Sequence, residues 1–141
     1  VEAGLVEPEA MTVATVDAEG RPDARIVLVR GVDESGLVFF TNYASAKGTQ
    51  LETTPVASAV FGWLGLHRQV RVRGHVERLD DESSSEYFAS RPRGSRIGAW
   101  ASPQSEVIES RQTLESLVSD VEARFEGQEV TRPPFWGGWR I

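Results

Sequence analysis

A cationic segment without any acidic residue lies within this acidic chain. Residues 87–105 contain three arginines, four serines and two glycines, whereas the whole chain carries a formal net charge of -6. Arginine presents a planar fork of donors that matches phosphate oxygens, and glycine lets the backbone approach a ligand closely. The segment therefore predicts a site for a small phosphate ester. The alternative is a solvated loop whose arginines pair with Glu82, Glu86 or Glu106.

Composition limits the classes of protein to which the chain can belong. A length of 141 residues with 40% hydrophobic and 26% charged residues predicts one globular domain. The absence of cysteine removes disulfides, thiolate metal sites and cysteine nucleophiles. His67 and His75 do not have metal-ligand spacing, so no metal site is predicted. A pI near 5.0 argues against broad nucleic-acid binding.

The hydropathy pattern contains no segment that would enter a membrane. No apolar run approaches the roughly 18 residues that a spanning helix requires, and no basic and then apolar N-terminus indicates a signal peptide. We therefore expect a cytoplasmic protein without membrane association.

Short β-rich runs separated by turn residues dominate the first half of the chain. Residues 11–16 and 24–32 flank a turn-forming segment and should pair as a hairpin. A third strand is predicted at 37–41, and two more at 56–64 and 69–79. Alternation in the last of these predicts one core face and one polar face.

Three helices are predicted among these strands. One covers residues 45–53, a second runs from Asp80 or Asp81 to about Ser90, and apolar periodicity predicts a third at 110–125. About five strands in meander order with helices between them indicate an antiparallel β-barrel with peripheral helices. No repeat or linker marks a second domain.

Several motifs in one order resemble those of a known family. The run S-R-P-R-G-S-R-I-G-A-W, followed by Q-S, is similar to a segment of the FMN-dependent pyridoxamine 5'-phosphate oxidases. Matching segments are R-I-V-L-V-R at 25–30, F-F-T-N at 39–42, S-A-K-G at 45–48, R-Q-V at 68–70 and F-W-G-G-W-R-I at 135–141. The resemblance implies a mainly β fold with peripheral helices, the FMN-binding split β-barrel, as one domain over residues 1–141.

The resemblance also implies a reaction. It is the FMN-dependent oxidation of pyridoxamine or pyridoxine 5'-phosphate to pyridoxal 5'-phosphate, with dioxygen as electron acceptor. In such an enzyme the flavin carries the redox chemistry, and the protein binds and orients. Two alternatives stay open: a flavin oxidase of another ring, such as a phenazine precursor, and a non-catalytic flavin-binding split barrel. The S-R-P-R-G-S-R-I-G-A-W run favours the first function, because the phenazine relatives diverge there.

Twelve residues are implied as FMN contacts by the same resemblance. They are Arg25, Ile26, Val27, Leu28, Val29, Arg30, Phe40, Thr41, Lys47, Gln69, Gln104 and Ser105. Arg25 and Lys47 would meet the FMN phosphate, and Gln69 would hydrogen-bond the flavin ring.

The substrate phosphate is implied to lie against Arg30, Tyr87, Arg91 and Ser95. Tyr87 and Arg91 are four residues apart and share a helical face if the helix extends that far, whereas Ser95 is expected on a loop. Arg93 and Arg96 receive no ligand role and are expected in surface ion pairs. No residue is assigned a catalytic role.

The chain departs from the family pattern at several points. Arg30 stands where these oxidases typically have lysine, and Ala46 stands where arginine is common. The family continues beyond Ile141 with a tryptophan-bearing strand and an arginine-x-histidine segment, and we expect an N-terminal helix of which this chain has only the end.

Strand parity adds a constraint on the phosphate site. Period-two alternation puts Arg25 and Arg30 on opposite faces of one strand, so a shared pocket needs a bulge, a strand end or a site between subunits. The homodimer that the resemblance implies, with flavin at the interface, would meet this requirement.

Overall fold

Seven strands and four helices make up the described part of the chain, residues 4–141 of a computed structural model. The strands are β1 (Ala10–Val16), β2 (Pro22–Asp33), β3 (Gly36–Asn42), β4 (Val56–Trp63), β5 (Arg68–His75), β6 (Glu77–Arg78) and β7 (Trp136–Arg140). The helices are α1 (Ala46–Thr53), α2 (Asp81–Ser90), α3 (Arg93–Ala101) and α4 (Arg111–Arg124). A single 3₁₀ turn, Leu64–Leu66, joins β4 to β5.

The strands form one antiparallel sheet in the order β5-β4-β1-β2-β3-β7-β6, which curls into a half-barrel. The predicted class, a mainly β split barrel with peripheral helices, is confirmed. The expected five-strand meander is wrong in two respects. There are seven strands in the described residues, and the sheet does not follow chain order: β4 pairs with β1 and β5 rather than with β3, and β7 lies between β3 and β6.

The strand predicted at 69–79 is divided into two. β5 pairs with β4 at one end of the sheet, and β6 pairs with β7 at the other end. Between them Val76 is buried, and its N–H donates to the carbonyl of Pro55 at 2.9 Å. This single residue leaves both ladders, so the chain can cross from one side of the half-barrel to the other.

Two hydrophobic clusters hold the fold together. The first lies within the curled sheet, where alternate residues of β1, Met11 and Val13, pack with Phe39 and Trp139. The second holds the helices against the start of β7 and includes Phe88, Ile97, Phe125, Val130 and Trp136. Burial of side chains of this size contributes about 1.5–3 kcal/mol each.

Polar caps fix the starts of the three predicted helices. Ser45 caps α1, Asp80 caps α2 and Ser110 caps α4. Each cap side chain accepts from the N–H group three residues later, in the first turn of its helix: Gly48, Ser83 and Thr113. These helices are confirmed.

The fourth helix, α3, was not predicted, and Ser95 therefore lies on a helix rather than on a loop. Pro92 precedes its first turn with φ -52°, which suits a helix start, and Ile97 and Ala101 bury one face. The expected loop at Ser95 is therefore wrong.

The N-terminal part of the chain is irregular where it is described. Residues 4–9 form bends and a turn before β1. The expected N-terminal helix, so far as it falls on residues 1–3, lies outside the described residues. Within residues 4–141 the helices are too short or too polar to cross a lipid bilayer.

Candidate functional site

A cleft of about 310 Å³ opens where β2 and β3 meet α1, α2 and β7. Eleven of the predicted site residues line it: Arg25, Ile26, Val27, Leu28, Arg30, Phe40, Thr41, Lys47, Tyr87, Arg91 and Gln104. A second cavity of about 290 Å³ shares Arg91, Gln104 and Trp136 with the cleft and includes Ser95. The fold thus brings most of the predicted cofactor and substrate residues into one connected region.

A bulge in β2 resolves the parity conflict between two of the arginines. The pairing of β2 with β3 changes register between Val29 and Gly31. Arg25 and Arg30 therefore both line the cleft, although they are five residues apart on one strand. Arg30 is loosely paired with Glu9, with 4.0 Å between guanidinium and carboxylate.

Lys47 lies at the base of the cleft among neutral oxygens. Its side chain is buried, and Nζ donates to Thr41 Oγ1 at 3.1 Å, Ser45 Oγ at 3.3 Å and Gln104 Oε1 at 3.0 Å. Ser45 is also the cap of α1, so the start of this helix fixes the position of the lysine. Thr41 in turn donates to Gln104 at 2.8 Å.

The surroundings of Lys47 disfavour its charge. The pKa of the ammonium is lowered from 10.5 to about 8, mainly because the group is buried and also because the Arg25 guanidinium is near, while Asp23 acts in the opposite direction. No carboxylate within the described residues forms an ion pair with this lysine. A bound phosphate would supply the missing negative charge.

Arg25 is held against the wall beside this lysine. Its guanidinium is ion-paired with Asp23 and donates to Thr15 Oγ1 and to Gln50 Oε1, the latter at 3.1 Å. These contacts tie β2 to β1 and α1, so the cation has a fixed place.

Arg91 is a second, half-buried cation of the cleft. Its Nη1 is buried and has no hydrogen-bond partner among the described residues. Its Cζ lies 4.7 Å from the ring centroid of Trp136 and 5.7 Å from that of Phe88. Burial lowers the pKa of the guanidinium, Tyr87 opposes this effect, and Arg30 lowers the pKa further.

The other arginines of the cationic segment have structural roles. Arg93 was expected in a surface ion pair with a carboxylate. Instead it donates to the carbonyls of Phe125 and Gln128, both at 2.8 Å, and so binds the end of α4. Arg96 forms the expected ion pair, with Glu129 at 3.6 Å. Of the three, only Arg91 lines the cleft.

Three parallel aromatic rings form a wall of the cleft. Phe40 stacks on Tyr87 with 3.9 Å between centroids and an angle of 16°, and on Trp136 with 5.5 Å and 12°. Gly138 pairs with Phe40 across β3 and β7, and a Cβ there would lie 2.9 Å from the Phe40 ring. Trp136 lies within the F-W-G-G-W-R-I motif but was not predicted as a site residue. The two glycines that follow it were the only sequence signal that β7 packs closely on its neighbours.

Three predicted cofactor residues do not line the cleft. Val29 is buried in the core, and Ser105 follows α3 in an exposed loop with φ 71°. Gln69 is exposed on β5, with β4 and β1 between its strand and β2. The register of these strands puts Gln69 on the same face of the sheet as Ile26.

The arrangement supports anion binding at two places. Lys47 and Arg91 mark the two positions, and the aromatic wall lies beside Arg91. Among residues 4–141 no three His, Asp or Glu side chains are grouped as metal ligands would be.

Comparison with known proteins gives a consistent family. The family model described as Pyridoxamine 5'-phosphate oxidase matches residues 1–125. A pyridoxine/pyridoxamine 5'-phosphate oxidase of Burkholderia thailandensis is 57% identical over all 141 residues, which cover 65% of that protein. A protein of the same name from Burkholderia pseudomallei has the same identity and coverage. The chain thus spans about two thirds of the length of these relatives.

Solved structures share the fold. PhzG from Burkholderia lata 383, in complex with tetrahydrophenazine-1-carboxylic acid, has a TM-score of 0.92 and 27% identity over 99% of this chain and 68% of that chain. A pyridoxamine 5'-phosphate oxidase-related, FMN binding protein from Nostoc punctiforme has a TM-score of 0.74 and 21% identity over 97% of this chain and 71% of that chain. At that identity the second likeness concerns the fold alone.

Proposed function

The chain belongs to the pyridoxamine 5'-phosphate oxidase family, and from this premise we propose that the protein binds FMN and oxidises pyridoxamine or pyridoxine 5'-phosphate to pyridoxal 5'-phosphate, with dioxygen as electron acceptor. One observation carries the proposal: the cleft contains a buried lysine, Lys47, and a half-buried arginine, Arg91, and neither forms an ion pair with a carboxylate of the described residues. Cofactor and substrate each bring one phosphate, which matches two such positions.

The Lys47 end of the cleft fits the FMN phosphate. A buried ammonium whose partners are all neutral oxygens favours an anionic ligand, and Arg25 adds a second positive charge nearby. Gln104 and Thr41 offer an amide and a hydroxyl for the polar edge of a ligand. Bound FMN would accept the hydride equivalent and return the electrons to dioxygen.

The Arg91 end fits the phosphate of the substrate. Arg91 has an unused buried donor, and Arg30 and the Tyr87 hydroxyl lie in the same cleft. Ser95 faces the adjoining cavity from the first turns of α3. With arginine at position 30 in place of lysine, two guanidinium groups would share the dianion, each presenting a planar fork of donors.

A second copy of the chain would complete the flavin site. Ile26 of β2 lines the cleft and is also 71% exposed on the outer face of the sheet. Gln69 lies on the same face, on β5, which is the third strand from β2. A homodimer packed through this face would bury Ile26 and bring Gln69 of one copy to the cleft of the other. This arrangement would give Gln69 its expected contact with the flavin ring.

A second candidate is oxidation of a phenazine precursor. It is supported by the TM-score of 0.92 with PhzG, although the identity of 27% is far below the 57% of the vitamin B6 enzymes. We therefore rank the phosphorylated pyridine substrate first.

Turnover separates these functions. We expect the purified protein to be yellow, to release FMN rather than FAD on denaturation, and to form pyridoxal 5'-phosphate from pyridoxine 5'-phosphate while consuming dioxygen. Turnover of a reduced phenazine carboxylic acid alone would favour the second candidate. Flavin binding without turnover of either would indicate a non-catalytic flavoprotein, and no flavin uptake from excess FMN would refute the cofactor.

A further inference from the structure

Arg91 is a half-buried cation without a counter-ion among residues 4–141. A buried guanidinium is normally neutralised by a carboxylate, since an unpaired buried charge is strongly unfavourable. None of the ion pairs within residues 4–141 includes Arg91, and burial lowers its pKa. A neighbouring group that contacts the guanidinium without occupying its donors would reduce this penalty when no ligand is bound.

The Trp136 indole is placed to do so. Its ring centroid lies 4.7 Å from Arg91 Cζ, within the range of a cation–π contact, and the indole itself is only 6% exposed. The contact strengthens as its partners lose solvent; here the indole is buried, and the guanidinium is half-buried with its Nη1 shielded from solvent. It also leaves the N–H donors free, whereas a carboxylate would occupy them and cancel the positive charge.

The orientation of this indole is fixed by neighbouring groups. Trp136 is parallel to Phe40 and Tyr87, at 12° and 4°, and meets Phe88 edge-on at 71° with 5.1 Å between centroids. Its carbonyl accepts from Arg132 at 2.6 Å, and Arg132 is also ion-paired with Asp81 at the start of α2. Arg132 thus connects the backbone of Trp136 to the helix that precedes Arg91.

From these contacts we propose that Trp136 is a positioning residue: its face holds the Arg91 guanidinium in the cleft with its donors unoccupied, in place of a carboxylate, so that they bind a phosphomonoester. The proposal rests on the proposed function for the identity of the substrate, but it requires only that the cleft bind an aromatic phosphate. Trp136 acts through Arg91, so its contribution should vanish when either the guanidinium or the ligand phosphate is absent.

Calorimetric titration of the FMN-loaded protein with phenyl phosphate and with pyridoxal 5'-phosphate tests this inference. We expect W136L to weaken both about tenfold or more and W136F, which keeps a π face, to restore most of the affinity. In the background of R91A, W136L should change the affinity little, and the binding of unphosphorylated pyridoxal should change little in W136L. In turnover, W136L should raise KM far more than it lowers kcat.

The matched control is W100L. Trp100 belongs to the same aromatic cluster and has its own arginine, Arg124, with Cζ at 4.5 Å from the ring, but it does not line the cleft. We expect W100L to lower thermal stability without changing phosphate affinity.

Equal effects of W136L with and without Arg91, or equal effects on phosphorylated and unphosphorylated ligands, would overturn the inference. So would a failure of the wild-type protein to bind phenyl phosphate. Binding of phenyl phosphate that depends on Trp136 through Arg91, without oxidation of pyridoxine 5'-phosphate, would support the inference and refute the proposed function.

Discussion

Lys47 donates a hydrogen bond of 3.0 Å to the side-chain oxygen of Gln104, a residue 57 positions later in the chain. The bond joins the start of α1 to the segment after α3 across the base of the cleft. Because Gln104 is neutral, it satisfies a donor of the lysine without neutralising its charge. The positive charge thus remains available to an anionic ligand. Because the pKa of Lys47 is about 8, the protonation of its ammonium group changes with pH near that value.

The affinity for FMN should depend on pH through Lys47. Its pKa in the ligand-free protein is about 8, so the fraction that is protonated falls as the pH rises through that value. If the phosphate binds only the protonated form, the dissociation constant should rise about tenfold between pH 7 and pH 9. Fluorescence titration of the apoprotein with FMN would measure this rise.

The matched variant for this test is Lys47→Gln. It should bind FMN more weakly at every pH and show a flat profile over the same range. A flat profile in the wild-type protein would mean that Lys47 does not meet the phosphate.

Arg91→Ala should weaken the substrate rather than the cofactor. It removes charged hydrogen bonds worth about 1.5–3 kcal/mol, so KM for pyridoxine 5'-phosphate should rise roughly tenfold to a hundredfold with FMN content unchanged. Steady-state kinetics with flavin quantification would show this.

Arg93→Ala is the control for Arg91→Ala, because Arg93 binds the carbonyls at the end of α4 and does not line the cleft. This variant should lose thermal stability and keep its KM. Similar KM values in the two variants would contradict the assignment of Arg91.

The sequence was informative where one pattern dominated and misleading where two competed. Caps and periodicity predicted α1, α2 and α4, and hydrophobic alternation predicted the β1–β2 hairpin. In the segment of α3 a loop was expected at Ser95, although Ile97 and Ala101 are buried at helical spacing and Ile97 packs in the second cluster.

The site was predictable by resemblance and only partly by local pattern. A strand position decides which face a side chain takes, but the bulge between Val29 and Gly31 depends on pairing with β3, and Gly31 is only a weak local signal of it within β2. The stacking of Trp136 on Phe40 joins residues 96 positions apart, a contact that local periodicity does not encode.

Gly48→Ala should disrupt the phosphate end of the cleft. A Cβ at this position would lie 2.2 Å from the carbonyl oxygen of Tyr43, which is backbone and cannot move aside without displacing the start of α1. Such overpacking costs about 1–3 kcal/mol, and Lys47 moves with the helix. We expect a lower Tm and weaker FMN binding, measured by thermal unfolding and by flavin titration.

Gly94→Ala provides the comparison for Gly48→Ala. Gly94 lies in α3 with no atom within 4 Å of an added Cβ, so alanine should raise stability by up to about 1 kcal/mol through its higher helix propensity. If the two alanine variants unfold at the same temperature, the close packing at Gly48 is not what holds α1.

Mixing two defective variants should restore flavin sites if a second copy supplies Gln69. In the proposed homodimer each site takes Lys47 from one copy and Gln69 from the other, so Lys47→Gln and Gln69→Ala homodimers are both defective. A mixed dimer would hold one site with both changes and one site with neither. After co-refolding in equal amounts, about a quarter of the sites should bind FMN with wild-type affinity.

The two variants refolded separately and then combined without exchange are the control, and they should show no such fraction. Gln69 is exposed on β5, which is separated from β2 of its own chain by β4 and β1, so a weakened flavin site in Gln69→Ala already points to a second copy. Light scattering should report a dimer in the FMN-loaded state. A monomer that retains FMN, or an absence of restored sites after mixing, would show that each chain builds its flavin site alone.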